Sequence, residues 1–290
     1  MKIIDLLYKK NGVSFEFFPP KSQKDKELLV QTAQELKTFN PSFVSVTHGA
    51  SGYTNAEKPP IEYTKETVLE LKNTLGLNIM AHLTCISHTK EELLGILGFY
   101  KENGVENLLA LRGDIPKNHD KRGCSHASEL IDTIKAYLDD WFCIGVAAYP
   151  EGHPESPNME WEIKYFKQKI EKGASFAITQ MFFDNKYYYE FLDLCHKEHI
   201  NIPIIPGIMP ITNIKQISKF ASMCGATIPS YITDALEDLS DEDVVKKGVE
   251  IATNQCNDLI KNGVKHIHFY TLNKSKAVLE ILKQIDWHNR

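Results

Sequence analysis

The segment Asn103-Gly104-Val105-Glu106-Asn107-Leu108-Leu109-Ala110-Leu111-Arg112-Gly113-Asp114 contains, in order, a glycine turn, a short apolar run and a polar group. Near-continuous apolar runs between turn residues are typical of strands that are buried on both faces, as in parallel sheets covered by helices. The polar group that follows such a run is then expected at the carboxyl end of a buried strand. The rest of the 290-residue chain repeats this pattern.

Similar apolar runs recur along the chain at comparable intervals. They predict eight strands: Val13–Phe17, Phe43–Val46, Asn78–Leu83, Asn107–Leu111, Phe142–Ala147, Phe176–Thr179, Pro203–Pro206 and His266–Phe269. Amphipathic stretches between them predict helices, among them Glu27–Phe39, Lys90–Asn103, Glu160–Glu171 and Lys186–His199. Thr89-x-x-Glu92 predicts a capping box, and Asn273 is expected to cap the last helix. Strand and helix therefore alternate along the chain.

The interval between the seventh and eighth predicted strands is about double the others. It contains the segment Ile211–Val264, in which Asn213–Cys224 and Val244–Lys261 have helical patterns. An open doubly wound sheet is the alternative architecture, but no G-x-G-x-x-G follows any predicted strand. Eight units favour a single (β/α)8 TIM barrel over residues 1–290, with extra helices inserted between strands seven and eight.

Composition and charge exclude several classes of function. The chain carries 33 Lys and Arg against 38 Asp and Glu, a net charge of −5, and no basic stripe that would suit nucleic acid. No run of about 18 apolar residues predicts a membrane span, and the first residues lack a signal-peptide core. Six cysteines without a C-x-x-C pair argue against disulfides and a cysteine-rich zinc site. We expect a cytoplasmic protein with reduced thiols.

In a barrel of this kind the active site lies at the carboxyl ends of the strands. All predicted strands but the seventh are followed by a side chain that can donate or accept a hydrogen bond. Phe15, Phe17 and Phe18 surround Glu16 in the sequence, and a carboxyl group surrounded by apolar side chains favours its neutral form, which a general acid needs. The alternative is a strand-end carboxylate paired with Lys or Arg.

The tripeptide Arg112-Gly113-Asp114 offers a cation, a residue that permits close backbone approach, and an anion, although surface turns often have the same composition. Histidines near the strand ends raise the question of a metal site: His82, His88, His126 and His153. No H-x-H lies on the first strand and no H-E-x-x-H is present, so we expect no metal. Pattern alone therefore predicts a barrel enzyme of unknown chemistry.

Five strings at different strand ends carry a more specific signal. They are Val13-Ser14-Phe15-Glu16-Phe17-Phe18-Pro19-Pro20, His82-Leu83-Thr84-Cys85, Leu111-Arg112-Gly113-Asp114, Ala147-Ala148-Tyr149-Pro150-Glu151-Gly152-His153-Pro154 and Phe269-Tyr270-Thr271-Leu272-Asn273. In this order, and over nearly the whole chain, they resemble the methylenetetrahydrofolate reductase family. Five strings in the right order are far more specific than any one of them.

The resemblance implies a flavoprotein. NADH or NADPH is expected to reduce bound FAD and leave, after which 5,10-methylenetetrahydrofolate is reduced to 5-methyltetrahydrofolate, a methyl source for methionine synthesis. Ping-pong kinetics follow if both substrates must stack on the same flavin face. The resemblance is to short bacterial members, so a homo-oligomer without a carboxyl-terminal regulatory domain is expected.

The resemblance also assigns site residues. Glu16 is similar to the family's general acid, and Asp114 to a carboxylate that tunes the flavin and holds folate. FAD contacts are expected from Thr47, His48, His82, Arg112, Gly113, Asp114, His126, Ala127, Tyr149, His153, Glu162 and Lys169, and substrate contacts from Glu16, Asp114, Gln180, Gln216, Phe220 and Lys274. The chain departs from its relatives at His48 and His126 (often Tyr), Glu162 (often Asp) and Lys274 (an Arg), where Lys lacks the bidentate fork.

Two other functions stay open. The chain could be a flavin-binding subunit of a larger electron-transfer complex, or another flavin barrel such as proline dehydrogenase. Reduction of the flavin by NADH or NADPH without a partner protein would exclude the first alternative. Reoxidation of the flavin by the folate would exclude the second.

Overall fold

The computed structural model describes residues 1–48, 58–115 and 123–285, and its strands form one nine-stranded parallel sheet. The strands are β1 Gly12–Phe17, β2 Phe43–Val46, β3 Ile79–Thr84, β4 Asn107–Leu111, β5 Cys143–Ala148, β6 Phe176–Thr179, β7 Ile204–Ile205, β8 Gly207–Ile208 and β9 His266–Tyr270. Each strand from β1 to β6 pairs with the next, and β9 pairs with both β1 and β8.

The seventh predicted strand is present as two short halves, β7 and β8, on either side of Pro206. Proline has no amide hydrogen to donate to a strand ladder. Its carbonyl still accepts a hydrogen bond of 3.0 Å from the His268 amide on β9. Because β7 pairs with β6 and β8 pairs with β9, the two halves join the edges of the sheet. The predicted (β/α)8 TIM barrel is confirmed.

Helices alternate with the strands as expected. They are α1 Ile3–Leu7, α2 Gln23–Lys37, α3 Pro60–Leu75, α4 Lys90–Glu102, α5 Ala127–Leu138, α6 Met159–Glu171, α7 Asn185–Lys197, α8 Ile214–Cys224, α9 Ser230–Leu236, α10 Asp241–Lys261 and α11 Lys276–Leu282. The insertion between the seventh and eighth units is confirmed as α8, α9 and α10. Within the described residues, none of the helices is long and apolar enough to cross a membrane.

The two predicted helix caps have different outcomes. The capping box of α4 is confirmed, since Thr89 and Glu92 each accept from the other's backbone amide. The cap predicted at Asn273 is wrong, because Ser275 is the residue that precedes α11. Asn273 instead bonds both the amide and the carbonyl of Phe18, at 2.8 and 2.9 Å. A contact with a distant part of the chain has replaced the local cap.

Side chains alternate between two environments along each strand, as the pleat requires. On β1, Phe15 and Phe17 belong to the outer core between barrel and helices. The alternate positions face the barrel interior. The amino-terminal half of that interior is filled by one apolar cluster, which α1 helps to close: Ile3, Leu7, Phe43, Met80, Leu109, Cys143, Phe176, Ile178 and Ile205. Polar side chains from the same strands occupy the other half.

Candidate active site

Glu16 lies near the carboxyl end of β1 and faces the barrel interior, with only 8% of its surface exposed. The expected apolar surroundings are wrong. Phe15 and Phe17 are sequence neighbours and therefore point to the opposite face of the strand, into the outer core. Phe18 follows the strand and is 40% exposed. The carboxylate is buried, but phenylalanines do not surround it.

Two imidazoles from neighbouring parts of the barrel face the Glu16 carboxylate. His82 Nε2, on β3, lies 3.5 Å from Glu16 Oε2, and His268 Nε2, on β9, lies 3.9 Å from the same oxygen. Both of these partners are histidines, so the two ion-pair contacts do not support the alternative expectation of a Lys or Arg partner. The Ser14 hydroxyl, one inward position below Glu16, lies 2.8 Å from His268 Nδ1.

His82 has an unusual electrostatic environment. Burial lowers its pKa to about 4, although the nearby Glu16 carboxylate acts in the opposite direction. The ring is therefore neutral near pH 7. Its Nε2 atom is buried and has no hydrogen-bond partner in the described part of the chain. A polar atom in that position is available to a ligand or to the Glu16 carboxyl group.

Tyr270 and Thr271 fix the end of β9 against the neighbouring strands. The Tyr270 hydroxyl donates to the Thr179 carbonyl at 2.6 Å, and burial raises its pKa well above the usual value, so the phenol stays protonated. The ring passes over Gly207, where a Cβ atom would lie 2.6 Å from a Tyr270 ring carbon. The Thr271 hydroxyl donates to the Glu16 carbonyl at 2.5 Å. These bonds hold the Glu16 backbone in place.

A second polar group lies at the ends of β4 and β5. Lys169, on α6, donates to the Ala147 carbonyl at 2.7 Å, and burial lowers its pKa to about 8. The carboxylate of Glu162, also on α6, accepts from the Ser156 hydroxyl at 2.6 Å and from the His153 amide at 3.2 Å. Glu162 therefore holds the loop that follows β5.

Arg112 belongs to this second group and marks its outer rim. Both terminal nitrogens of its guanidinium group donate to the Glu155 carboxylate, and the Nη2–Oε1 distance is 2.8 Å. Its Nε donates to the Gly113 carbonyl at 3.1 Å. Gly113 has φ +87°, and a Cβ atom there would lie 2.9 Å from Thr84 Cβ. Only glycine fits this backbone without strain. Asp114, the next residue, is exposed.

The remaining predicted cofactor residues lie around the same end of the barrel. Thr47 and His48 follow β2, and His48 Nε2 lies 3.1 Å from His88 Nε2. Burial is the main cause that lowers the pKa of His48 to about 3. His126 is exposed and directly precedes α5, which begins at Ala127.

The predicted substrate residues take different positions at the mouth. Gln180 follows β6, and its side-chain carbonyl accepts from the Met181 amide at 2.9 Å. Phe220, on α8, packs against an apolar cluster that also contacts Tyr270. Gln216, in the first turn of α8, and Lys274, after β9, are exposed. The structure thus brings His82 to Glu16, and it places the other predicted substrate residues on the surrounding rim.

Several polar residues of this region were not predicted from the sequence. Ser14 and His268 form the pair beneath Glu16, and Glu155 binds Arg112. Glu151 accepts from the Thr227 amide with both oxygens, at 3.0 and 3.2 Å, and so connects the loop after β5 to the loop after α8. The alternation His266-Ile267-His268-Phe269-Tyr270 was the available signal, because it places three polar rings on one face of a strand.

No group of three or more His, Cys, Asp or Glu side chains lies close enough to hold a metal ion, among residues 1–48, 58–115 and 123–285. The contacts of Glu16 with His82 and His268 are ion-pair contacts of 3.5 and 3.9 Å.

Comparison with known proteins identifies the family to which this chain is similar. A family model described as methylenetetrahydrofolate reductase matches residues 2–286. The 5,10-methylenetetrahydrofolate reductase of Escherichia coli (strain K12) is 40% identical over 267 residues, which cover 91% of this chain and 87% of that protein. "Methylenetetrahydrofolate reductase (NADH) 1" of Arabidopsis thaliana is 34% identical over 306 residues, 98% of this chain and 51% of that protein. The structure of 2,3-dimethylmalate lyase covers 98% of this chain and 86% of its own, with a TM-score of 0.54 and 8% identity, and supports the fold alone.

Proposed function

Because this chain belongs to the methylenetetrahydrofolate reductase family, we propose that it reduces 5,10-methylenetetrahydrofolate to 5-methyltetrahydrofolate, with FAD as cofactor and NADH or NADPH as electron source. The observation that carries the proposal is Glu16, a buried carboxyl group at the carboxyl end of a barrel strand, with two imidazoles on one oxygen. Ping-pong kinetics and a supply of methyl groups for methionine synthesis belong to the same proposal.

The residues of the second polar group fit FAD. Arg112 and Lys169 supply two cations at neighbouring strand ends, and charge-assisted hydrogen bonds of this kind suit a diphosphate. Gly113 lets the backbone approach a ligand closely, since no side chain fits there. The partly exposed ion pair of Arg112 with Glu155 can be exchanged for a ligand anion at little cost. FAD would supply the hydride carrier, which no side chain of the chain provides.

The other proposed FAD contacts surround this group. Tyr149 lies beside Lys169, whose Nζ is 5.9 Å from the ring centroid, and His153 follows in the same loop. Thr47, His48 and His82 come from the ends of β2 and β3, and His126 and Ala127 from the start of α5. Asp114 and Glu162 complete the proposed set.

Glu16 supplies the proton in the proposed reaction. The methylene carbon of the substrate bridges two nitrogens, and protonation of one nitrogen by Glu16 breaks one carbon–nitrogen bond and leaves an iminium carbon that accepts hydride. A positioned proton donor of this kind contributes on the order of 10²–10⁴-fold to rate. The polar half of the barrel interior is where such a donor is held away from bulk water.

The rim residues are proposed to hold the folate. Asp114 and Gln180 offer hydrogen-bond acceptors and donors to the pterin ring, and Phe220 offers an apolar face. Gln216 and Lys274 lie further out, where an exposed Lys can pair with a glutamate carboxylate of the folate tail. We also propose a single catalytic domain over residues 1–290, a cytoplasmic location and a homo-oligomer.

Anaerobic stopped-flow absorption of the FAD-loaded protein tests the proposed function. We expect NADH or NADPH alone to bleach the flavin, and 5,10-methylenetetrahydrofolate then to restore its absorption while 5-methyltetrahydrofolate forms. Failure of both nicotinamides would favour a subunit that takes electrons from a partner protein. Reduction by NADH or NADPH without reoxidation by the folate would favour another flavin barrel dehydrogenase, such as one that acts on proline.

A further inference from the structure

We propose that Ser14 and His268 form a positioning pair for Glu16, in which the Ser14 hydroxyl donates to His268 Nδ1 and thereby directs the Nε2–H bond of His268 at the Glu16 carboxylate. The pair therefore places a hydrogen-bond donor beside the Glu16 carboxyl group. The inference rests on the proposed function, in which Glu16 gives up a proton in each cycle.

The backbone register brings the three residues together. In the parallel pair of β1 with β9, Ser14 lies opposite His268 and Glu16 lies opposite Tyr270. Ser14 and Glu16 are two residues apart, so both side chains face the barrel interior. The Ser14 hydroxyl is 2.8 Å from His268 Nδ1, and His268 Nε2 is 3.9 Å from Glu16 Oε2.

The His268 ring is held in one orientation by its packing. It is 1% exposed, and it stacks on the Phe43 ring with centroids 5.9 Å apart and an angle of 14° between the planes. The Tyr270 ring meets it edge to face, with centroids 5.4 Å apart. A ring fixed on both sides keeps Nδ1 on Ser14 and Nε2 on the side of Glu16.

The proposed direction of the Ser14 hydrogen bond fixes the tautomer of His268. A neutral imidazole has one donor and one acceptor nitrogen, and a serine hydroxyl can donate to the acceptor. If Ser14 donates to Nδ1, the proton of His268 sits on Nε2, where it faces Glu16. Across 3.9 Å the N–H dipole stabilises a negative carboxylate.

Two of the groups that face Glu16 from nearby strands keep one protonation state between pH 6 and 9. His82, on β3, has a pKa of about 4, and Tyr270, on β9, has a pKa well above 10, so neither changes charge between pH 6 and 9. On β2 the residue opposite Glu16 is Ser45, which does not titrate.

The test is the pH profile of each half-reaction, measured by anaerobic stopped flow between pH 6 and 9. We expect the rate of flavin reoxidation by 5,10-methylenetetrahydrofolate to fall at high pH, because the proposed reaction needs a protonated acid. In His268→Asn and Ser14→Ala we expect this descending limb to move to higher pH, by about one unit in His268→Asn and by less in Ser14→Ala. The limb for NADH or NADPH reduction should not move.

Two control variants distinguish this role from a structural one. Ser14→Thr keeps a hydroxyl and should restore the wild-type profile. His266→Asn removes another buried histidine on the same face of β9 and should leave both limbs in place. A limb that stays with the wild type in both Ser14→Ala and His268→Asn, or that moves to lower pH, would overturn the proposal. Loss of folate turnover in the wild-type protein would instead refute the proposed function.

Discussion

The two halves of the barrel interior are built from the same strands and have opposite characters. On β3, Met80 belongs to the apolar cluster, whereas His82, the next inward position, faces Glu16. On β2, Phe43 packs in the same cluster and its ring also stacks on His268. A step of two residues along a strand therefore separates side chains that stabilise the fold from side chains of the proposed active site.

This difference has an energetic consequence. Large apolar side chains in the amino-terminal half contribute to the free energy of unfolding through burial and close packing. The carboxyl-terminal half contains a buried imidazole nitrogen of His82 without a hydrogen-bond partner in the described residues, and such a group costs stability. Substitutions in the first half should lower the free energy of unfolding and leave the chemistry of the folded protein intact. Substitutions in the second half should impair the chemistry without lowering the free energy of unfolding.

The largest effect is expected from Phe176→Ala, in the apolar half. Phe176 is fully buried, its ring centroid lies 6.3 Å from that of Phe43, and it packs on Gly145, where a Cβ atom would lie 2.6 Å from the ring. We expect a loss of about 3–5 kcal/mol in the free energy of unfolding, measured in urea. The exposed aromatic Tyr137 is the control, and Tyr137→Ala should change stability by about 0.5 kcal/mol or less. Equal effects of the two changes would contradict the assignment of stability to the interior.

Glu16→Gln should have the next largest effect, and this effect should be on catalysis and not on stability. The amide cannot protonate the folate, so we expect folate reduction to fall on the order of a hundredfold or more, while NADH or NADPH still reduces the flavin. The free energy of unfolding should not decrease. Glu106→Gln alters a carboxylate at the opposite end of the barrel, at the start of β4, and should leave both half-reactions unchanged. Normal folate turnover in Glu16→Gln would remove Glu16 from its role.

Lys169 should make FAD binding depend on pH. Burial lowers the pKa of Lys169 to about 8, so the ammonium group is present below that pH and is lost as the pH rises through it. An anionic diphosphate favours the charged form and raises the pKa, so FAD binding takes up a proton above pH 8. Affinity should therefore be highest below pH 8 and should fall above it, by at most about tenfold per pH unit for one coupled proton.

The matched variant is Lys169→Met, which keeps the length of the side chain and removes its charge. We expect FAD to bind about tenfold more weakly at pH 7, in line with the loss of a charge-assisted hydrogen bond, and the fall above pH 8 to disappear. Fluorescence titration of FAD at several pH values measures both. An unchanged slope in Lys169→Met would assign the pH dependence to another group.

The smallest effect is expected at the rim, from Glu151→Gln. The Glu151 carboxylate accepts two contacts from the Thr227 amide, which follows α8, the helix that carries Phe220. A neutral amide weakens this connection by about 1 kcal/mol. We expect KM for the folate to rise about fivefold, with little change in flavin reduction. A larger effect on the reductive than on the oxidative half-reaction would contradict this position for α8.

The sequence predicted the repeating units well because each depends on local features. Apolar runs predicted the strands to within a few residues of their observed bounds, and the long interval before His266 predicted the inserted helices. Pro206 divides the seventh strand, which no periodicity indicates. Asn273 has the composition of a helix cap, but it bonds Phe18 from the other end of the chain, and that contact depends on barrel closure.

The site was predictable only in part. Glu16 was singled out near a strand end by the phenylalanines around it in the sequence, yet these expected neighbours were wrong, since adjacent residues of a strand point to opposite faces. Its actual neighbour His268 is paired with Ser14 across 254 residues of sequence. Such a contact follows from the register of β1 with β9, and single-sequence patterns do not give that register.

The most direct test of the central claim is a crystal structure of the FAD-loaded protein with a bound folate. The account predicts that a folate nitrogen lies within hydrogen-bond distance of the Glu16 carboxyl group, about 2.6–3.2 Å, at the polar end of the barrel interior. A folate bound elsewhere, or one whose ring nitrogens face away from Glu16 with no water between them, would contradict it.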